Sequence, residues 1–201
     1  MKKIGFLSQK GGSGKTTLCV HLGVIAQKTG ESIIIVDCDP QGSAAAWGAM
    51  RKKPPTVIKA TPSALQETLR RANATLVLID TAPHSTPGMD IVASSVDLLL
   101  IPCRPSAFDL AAITSSVQIA KAAKCNAAFV LNGVNYRSAE FNEIRKALER
   151  HGLPIAPTAL GQRTPFVRAI STGRAVSEVE PKGKAAEEIE QLWKWLGTRL
   201  K

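Results

Sequence analysis

The chain has 201 residues, 44% of them apolar and 21% charged. This composition excludes collagen-like repeats, low-complexity disorder and a disulfide-stapled miniprotein, and a chain of this length buries roughly 70% of its unfolded surface. Lysine and arginine outnumber the acidic residues to leave a net charge of +10 at pH 7, which favours polyanionic partners: nucleic acid, anionic membrane or nucleotides.

Length and the lack of a linker predict one domain over residues 1–201. The four cysteines, Cys19, Cys38, Cys103 and Cys125, form no C-x-x-C pair and read as buried small hydrophobes in a reducing cytosol. After Met1-Lys2-Lys3 the apolar run Ile4 to Leu7 is too short for a signal-peptide core. No stretch approaches the roughly 20 apolar residues of a membrane span. A cytoplasmic protein is expected.

Taken in chain order, Ile4–Ser8 predicts a first strand and Leu18, Leu22 and Ile25 one face of a helix ending near Gly30. Ile33–Asp37 predicts a second strand and Thr56–Lys59 a weaker third. Leu76–Asp80 and Asp97–Pro102 are strong strands. A helix over Ser106–Ala123 follows, then a strand at Ala127–Asn132. Phe141, Ile144 and Leu148 share the face of a helix closed by Gly152 and Pro154. A short strand at Pro157–Leu160 and a terminal helix over Lys184–Leu200 complete the chain. The strong strands are continuous apolar runs, as in strands buried on both faces. The alternation predicts a three-layer α/β fold, a mostly parallel twisted sheet with helices on both faces.

The most informative stretch is Lys10-Gly11-Gly12-Ser13-Gly14-Lys15-Thr16-Thr17, between the first strand and the first helix. Glycines let backbone N–H groups turn inward around phosphate oxygens, and the helix N-terminus adds partial positive charge. In this pattern Lys15 reaches the phosphates and the Thr16 hydroxyl ligates Mg²⁺. The standard G-x-x-x-x-G-K-[ST] motif fails at one place, because its first glycine falls on Gln9.

Asp37 and Asp39 close the second strand and point the same way from an extended chain. Asp39 is the candidate for orienting an attacking water and Asp37 for supporting the metal's water shell. The alternative is a turn in which Asp37 caps a helix starting near Gly42. Asp80 closes an apolar strand, the pattern of a direct or water-mediated Mg²⁺ ligand. His84 follows soon after and reads as a bystander.

The loop with its extra Lys10 resembles the deviant Walker A loop of the ParA/MinD ATPase superfamily, and hence a P-loop NTPase fold. Asp37-Cys38-Asp39-Pro40-Gln41 resembles the family's switch I and Asp80-Thr81-Ala82-Pro83 its switch II start. Pro102 to Asp109 is similar to its P-x-x-P-S-x-x-D block, and Ala169–Val176 with Glu180–Ala186 to its C-terminal block. Length is that of the short plasmid-type, ParF-like members, which lack a helix-turn-helix domain.

The resemblance implies ATP and Mg²⁺ as ligands, held by Lys10, Gly11, Gly12, Ser13, Gly14, Lys15, Thr16 and Thr17, with Lys10 crossing a dimer interface to the partner's phosphates. It implies that Asn132 meets adenine. Lys10, Lys15 and Asp39 would be catalytic; Thr16, Asp37 and Asp80 would serve the metal. It further implies an ATP-dependent homodimer, with a polymer as the alternative, that binds nucleoid DNA without sequence preference and is stimulated by a ParB-like adaptor. Residues 161–201 carry eight Lys/Arg against five Glu; Arg163, Arg168 and Arg174 are the candidate DNA contacts.

The cargo reads as a plasmid or chromosome locus, with protein cargo or a filament scaffold as alternatives. Ile189, Leu192, Trp193, Trp195, Leu196 and Leu200 span an arc of roughly 160°. This fits a helix packed on the sheet better than the membrane anchor of a MinD-like protein. An iron–sulfur reductase with the same loop is disfavoured, because no cysteine falls in Asp80–Val96.

Overall fold

A computed structural model describes residues 1–83, 88–105 and 109–200. Its seven strands are β1 (Lys2–Phe6), β2 (Ile33–Asp37), β3 (Thr56–Lys59), β4 (Leu76–Asp80), β5 (Leu98–Cys103), β6 (Ala127–Val134) and β7 (Leu160–Gly161). They form one sheet in the order β3-β2-β4-β1-β5-β6-β7. Every pairing is parallel, so all the C-terminal strand ends lie along one edge. The continuous apolar runs are explained directly: every residue of β4 and β5 is buried, because both sheet faces are covered.

One face carries α1 (Lys15–Lys28), α2 (Ser43–Met50) and α9 (Lys184–Gly197). There Leu18, Leu22, Trp47, Ile189, Leu192 and Leu196 pack on Ile4, Phe6, Ile35, Leu78 and Val130. The other face carries α3 (Leu65–Arg71), α4 (Met89–Ser95), α5 (Asp109–Ala122) and α6 (Ala139–Glu149). Leu65, Val92, Val117, Ile144 and Leu148 meet Val36, Val77, Ile79, Leu99 and Phe129 there. Two shorter helices, α7 (Thr164–Ile170) and α8 (Val176–Val179), lie between β7 and α9.

The terminal helix is shorter than expected, ending at Gly197, but its apolar arc has the expected use. Ile189, Leu192 and Leu196 are fully buried, and Trp193 Nε1 donates to Thr29 Oγ1 at 2.9 Å. Trp193 and Trp195, half-buried, pack against the same core. Among the described residues no helix is long and apolar enough to cross a membrane. The last strand is Leu160–Gly161 rather than Pro157–Leu160, and β5 is set one residue later than expected. Cys19, Cys38 and Cys103 are buried as expected, whereas Cys125 is half-buried.

A clasp ties the end of α2 to α8 and the segment before it. Arg51 donates to both carboxylate oxygens of Glu178 at 2.8 Å and to the Gly173 carbonyl at 3.1 Å. The two side chains are only 3% and 7% exposed. Lys53 adds a second cation at 2.9 Å. Trp47 Nε1 donates to the Arg174 carbonyl, and the Arg51 guanidinium lies over the Trp47 ring. Burial pushes the Glu178 carboxyl up, but Arg51, Lys53 and the Ala175 N–H together outweigh it and hold it down at about 2.

Candidate functional site

The loop between β1 and α1 sits at the C-terminal sheet edge, between the ends of β4 and β5, where open α/β sheets bind ligands. Gly12 and Gly14 hold φ of +72° and +101°, a region that side chains disfavour. Gly14 is the N-cap of α1 and supplies no side-chain cap, and the first turn holds no acidic residue. The free N–H groups of that turn are therefore left for an external anion. They open on a cleft of about 470 Å³ lined by Gly11, Gly12, Gly14, Lys15, Thr16 and Thr17 on one side.

Lys15 is buried and folds back over the loop. Its Nζ donates to the Ser8 carbonyl at 3.1 Å and lies 3.5 Å from the Lys10 carbonyl. Burial pulls the ammonium's pKa down, while Asp80 and Asp39 oppose that. Lys10 is half-buried at the loop's outer edge.

The acids arrive by strand register. Asp37 pairs with Asp80 across β2 and β4, and Asp80 with Phe6 across β4 and β1. Thr81 Oγ1 donates to the Phe6 carbonyl at 2.6 Å, pinning the end of β4 beside the loop. Asp80 Oδ2 accepts the Thr16 hydroxyl at 2.6 Å. Its Oδ1 is buried with no hydrogen-bond partner, and burial is the main cause that raises its pKa to about 7.

A buried carboxylate with one unpaired oxygen, next to a threonine hydroxyl and the loop, is the donor set a hard divalent cation takes. The residues present fit Mg²⁺.

Asp37 is engaged by backbone N–H groups on both sides of the turn. Its oxygens accept Asp39 N–H at 3.0 Å and Ala45 N–H at 2.8 Å, so it holds the turn and the first turn of α2. Asp39 accepts Gln41 N–H at 2.9 Å and lines the cleft.

Asn132 also lines the cleft, at its phosphate-loop end. Its Nδ2 donates to the Ser13 carbonyl at 2.7 Å. That contact is with the loop, where the resemblance implied one with a base.

The three candidate DNA contacts are not equivalent. Arg163 is paired with Glu188 at 2.6 Å and faces the cleft. Arg168 and Arg174 are exposed, and Arg174 donates to the Glu178 carbonyl. His84 lies outside the described residues, as does part of the P-x-x-P-S-x-x-D block. Sequence reading missed Arg104, Gln41, Ser43, Gln162 and Phe166, which also line the cleft. Arg104 was within reach: it follows β5 directly, on the same strand-end edge.

Residues 4–176 match the family model described as the CobQ/CobB/MinD/ParA nucleotide binding domain. The chain belongs to this family. Within this CobQ/CobB/MinD/ParA family it is 30% identical over 196 residues to Maintenance of carboxysome distribution protein A of Halothiobacillus neapolitanus, covering 91% of this chain and 90% of that one. It is 28% identical over 197 residues to Protein ParA of Rhizobium radiobacter, covering 91% and 89%. Its fold is similar to that of a Cyanothece McdA variant in complex with ATP, with a TM-score of 0.82 at 16% identity over 98% of this chain and 96% of that one. The ParA/MinD resemblance and the P-loop fold are thereby established.

Proposed function

We propose that residues 1–201 form a single-domain, Mg²⁺-dependent ATPase of the ParA type that positions cargo by cycling on and off DNA. The observation that carries this reading is the Thr16–Asp80 pair, with its unpartnered Asp80 oxygen, beside an uncapped helix N-terminus. The N–H groups of Gly11 to Thr17 would cradle the phosphates, with Lys15 supplying charge. Thr16 and Asp80 would hold Mg²⁺, with Asp37 keeping the neighbouring turn in place. Held there, the ion would supply charge neutralisation at the phosphates. Asp39 would orient and deprotonate the attacking water. Lys10 would complete the site of a second copy, so that two chains close only around ATP.

DNA binding without sequence preference would rest on Arg168 and Arg174; Arg163, held by Glu188, is a weaker candidate. A ParB-like adaptor would stimulate hydrolysis and release the dimer from the nucleoid. The test is the ATPase rate with and without Mg²⁺, DNA and the product of a neighbouring adaptor gene, together with DNA retention in ATP, ADP or no nucleotide. The reading expects ATP-dependent, salt-sensitive retention that Lys15→Ala removes. Equal retention in all three nucleotide states would overturn it.

A second reading concerns the cargo. Similarity to a carboxysome distribution protein over nine-tenths of the chain favours a protein assembly over a DNA locus. The adaptor decides: one that binds repeated DNA sites supports DNA cargo, and one that binds a protein shell supports the other. ATP-dependent flotation with anionic liposomes would instead support a MinD-like role, against which the buried face of α9 stands.

A further inference from the structure

We propose that Glu188, on the terminal helix α9, is a positioning residue for the cleft wall that meets the nucleoside end of a ligand. The inference rests on the reading of the cleft as a nucleoside triphosphate site. It concerns a residue beyond the segment 4–176 that the family model matches.

The wall needs an external hold. Gly161, Gln162, Arg163, Phe166 and Val167 line the cleft and stand on β7, α7 and the turn between them. In the sheet order β7 lies three strands from β1, about 14 Å away at the usual strand spacing. A triphosphate seated in the loop after β1 therefore meets this wall through its nucleoside. Yet β7 is an edge strand of two residues, and its ladder to β6 is irregular between Asn132 and Val134. So few backbone bonds leave the position of the wall to side chains.

Glu188 supplies them. It is 8% exposed, and its Oε2 accepts the Gly161 N–H at 3.1 Å. The Arg163 guanidinium donates to both oxygens, Nη2 to Oε1 at 2.6 Å and Nε to Oε2 at 3.1 Å. The Tyr136 hydroxyl, which also meets the Ala159 carbonyl at 2.6 Å, lies 3.0 Å from Oε1. Burial and the Glu188 carboxylate push that hydroxyl up to about 12, so it stays protonated as a donor. Glycine at 161 is what lets the arginine curl back. A Cβ there would lie 3.0 Å from Arg163 Nε and 3.1 Å from its Cζ. One carboxylate thus joins the end of β7, the N-cap residue of α7 and the segment after β6.

A bidentate pair fixes orientation as well as distance. With Gly161 and Arg163 held from the same carboxylate, the wall has its position before a ligand arrives, and binding does not have to order it. The phosphate loop, Lys15 and the Thr16–Asp80 pair stand on β1, α1 and β4 and make no contact with Glu188. Loss of Glu188 should therefore fall on ligands that carry a nucleoside. It should spare ligands made of phosphates alone, or favour them through the released Arg163 charge.

The experiment compares wild type, Glu188→Gln and Glu188→Ala for Mg²⁺-supported binding of ATP and of inorganic tripolyphosphate. Glu188→Gln keeps the size and removes the charge-assisted pair, and it serves as the gentler variant should alanine fail to fold. Both are expected to lose about tenfold or more in ATP affinity, with tripolyphosphate binding unchanged or tighter. Hydrogen exchange of ligand-free protein should be faster at the Gly161 amide, with the β4 and β5 amides unmoved. Equal losses for both ligands, or faster exchange throughout the sheet, would assign Glu188 to general stability and overturn the proposal. Unchanged ATP affinity would also overturn it, as would a wild-type protein that binds tripolyphosphate as tightly as ATP. A wild-type protein that binds neither ligand would instead defeat the nucleotide reading itself.

Discussion

The Thr16 hydroxyl donates to Asp80 at 2.6 Å across 64 residues of sequence, joining the first turn of α1 to the end of β4. Asp80 retains a second oxygen, buried and unpaired. Substituting Asn at 80 keeps an acceptor for Thr16 and removes the charge. Asp80→Asn is therefore expected to weaken Mg²⁺ affinity about 10- to 100-fold, leaving Mg²⁺-free ATP binding unchanged or tighter. Calorimetry of ATP binding with and without Mg²⁺ checks this; equal Mg²⁺ dependence in both proteins would contradict the metal assignment.

Asp39 holds its turn through the Gln41 N–H, a bond that an asparagine oxygen can also accept. The Asp39→Asn variant should thus fold and bind ATP within about threefold of wild type, while kcat falls about 10²- to 10⁴-fold, the range of a lost general base. Single-turnover hydrolysis beside equilibrium binding separates the two effects. A variant that turns over normally would remove Asp39 from the mechanism.

The Arg51–Glu178 clasp predicts a stability effect away from the cleft. Glu178→Ala leaves a guanidinium buried without its partner, at a cost of about 3–5 kcal/mol. Urea denaturation measures it. The double variant Arg51→Met/Glu178→Ala, which also removes the stranded charge, should recover a large part of that loss.

His21 sets an acid-sensitive window. It is fully buried on α1, its Nδ1 accepts the Val176 N–H at 3.2 Å, and it meets the Phe166 ring edge-on. Burial lowers its pKa from 6.5 to about 3, against the opposing pull of the Glu178 carboxylate. Between those values the unfolded chain binds a proton that the folded chain does not, so stability falls as pH falls, with a slope of at most about 1.4 kcal/mol per pH unit from this group.

Glu178 acts in the same direction lower down. Its contribution is full above the ordinary glutamate range and is lost as pH falls toward about 2. Asn at position 21 keeps an acceptor and does not titrate. His21→Asn should therefore flatten the stability profile between about pH 6.5 and 3, as read from denaturation midpoints; a slope identical to wild type would exclude His21 as its source.

Much of the fold was legible because its signals are local. The unbroken apolar runs Leu76–Ile79 and Leu98–Ile101 report burial on both faces, and only a covered parallel sheet supplies that. Lys10–Thr17 could be nominated as a phosphate cradle because its residues are contiguous at one strand–turn–helix junction. Asp39, Asp80 and Thr16 could be nominated because parallel strands bring their C-terminal ends to one edge. The tertiary structure decided what depends on contacts between distant segments. That Asp37 holds the first turn of α2 rested on the position of the Ala45 N–H. Asn132 met Ser13, 119 residues away, because a strand irregularity ended its row there. Arg163 was taken by Glu188 through the packing of β7 against α9. Periodicity records which face a residue presents; it does not record which partner the fold brings to that face.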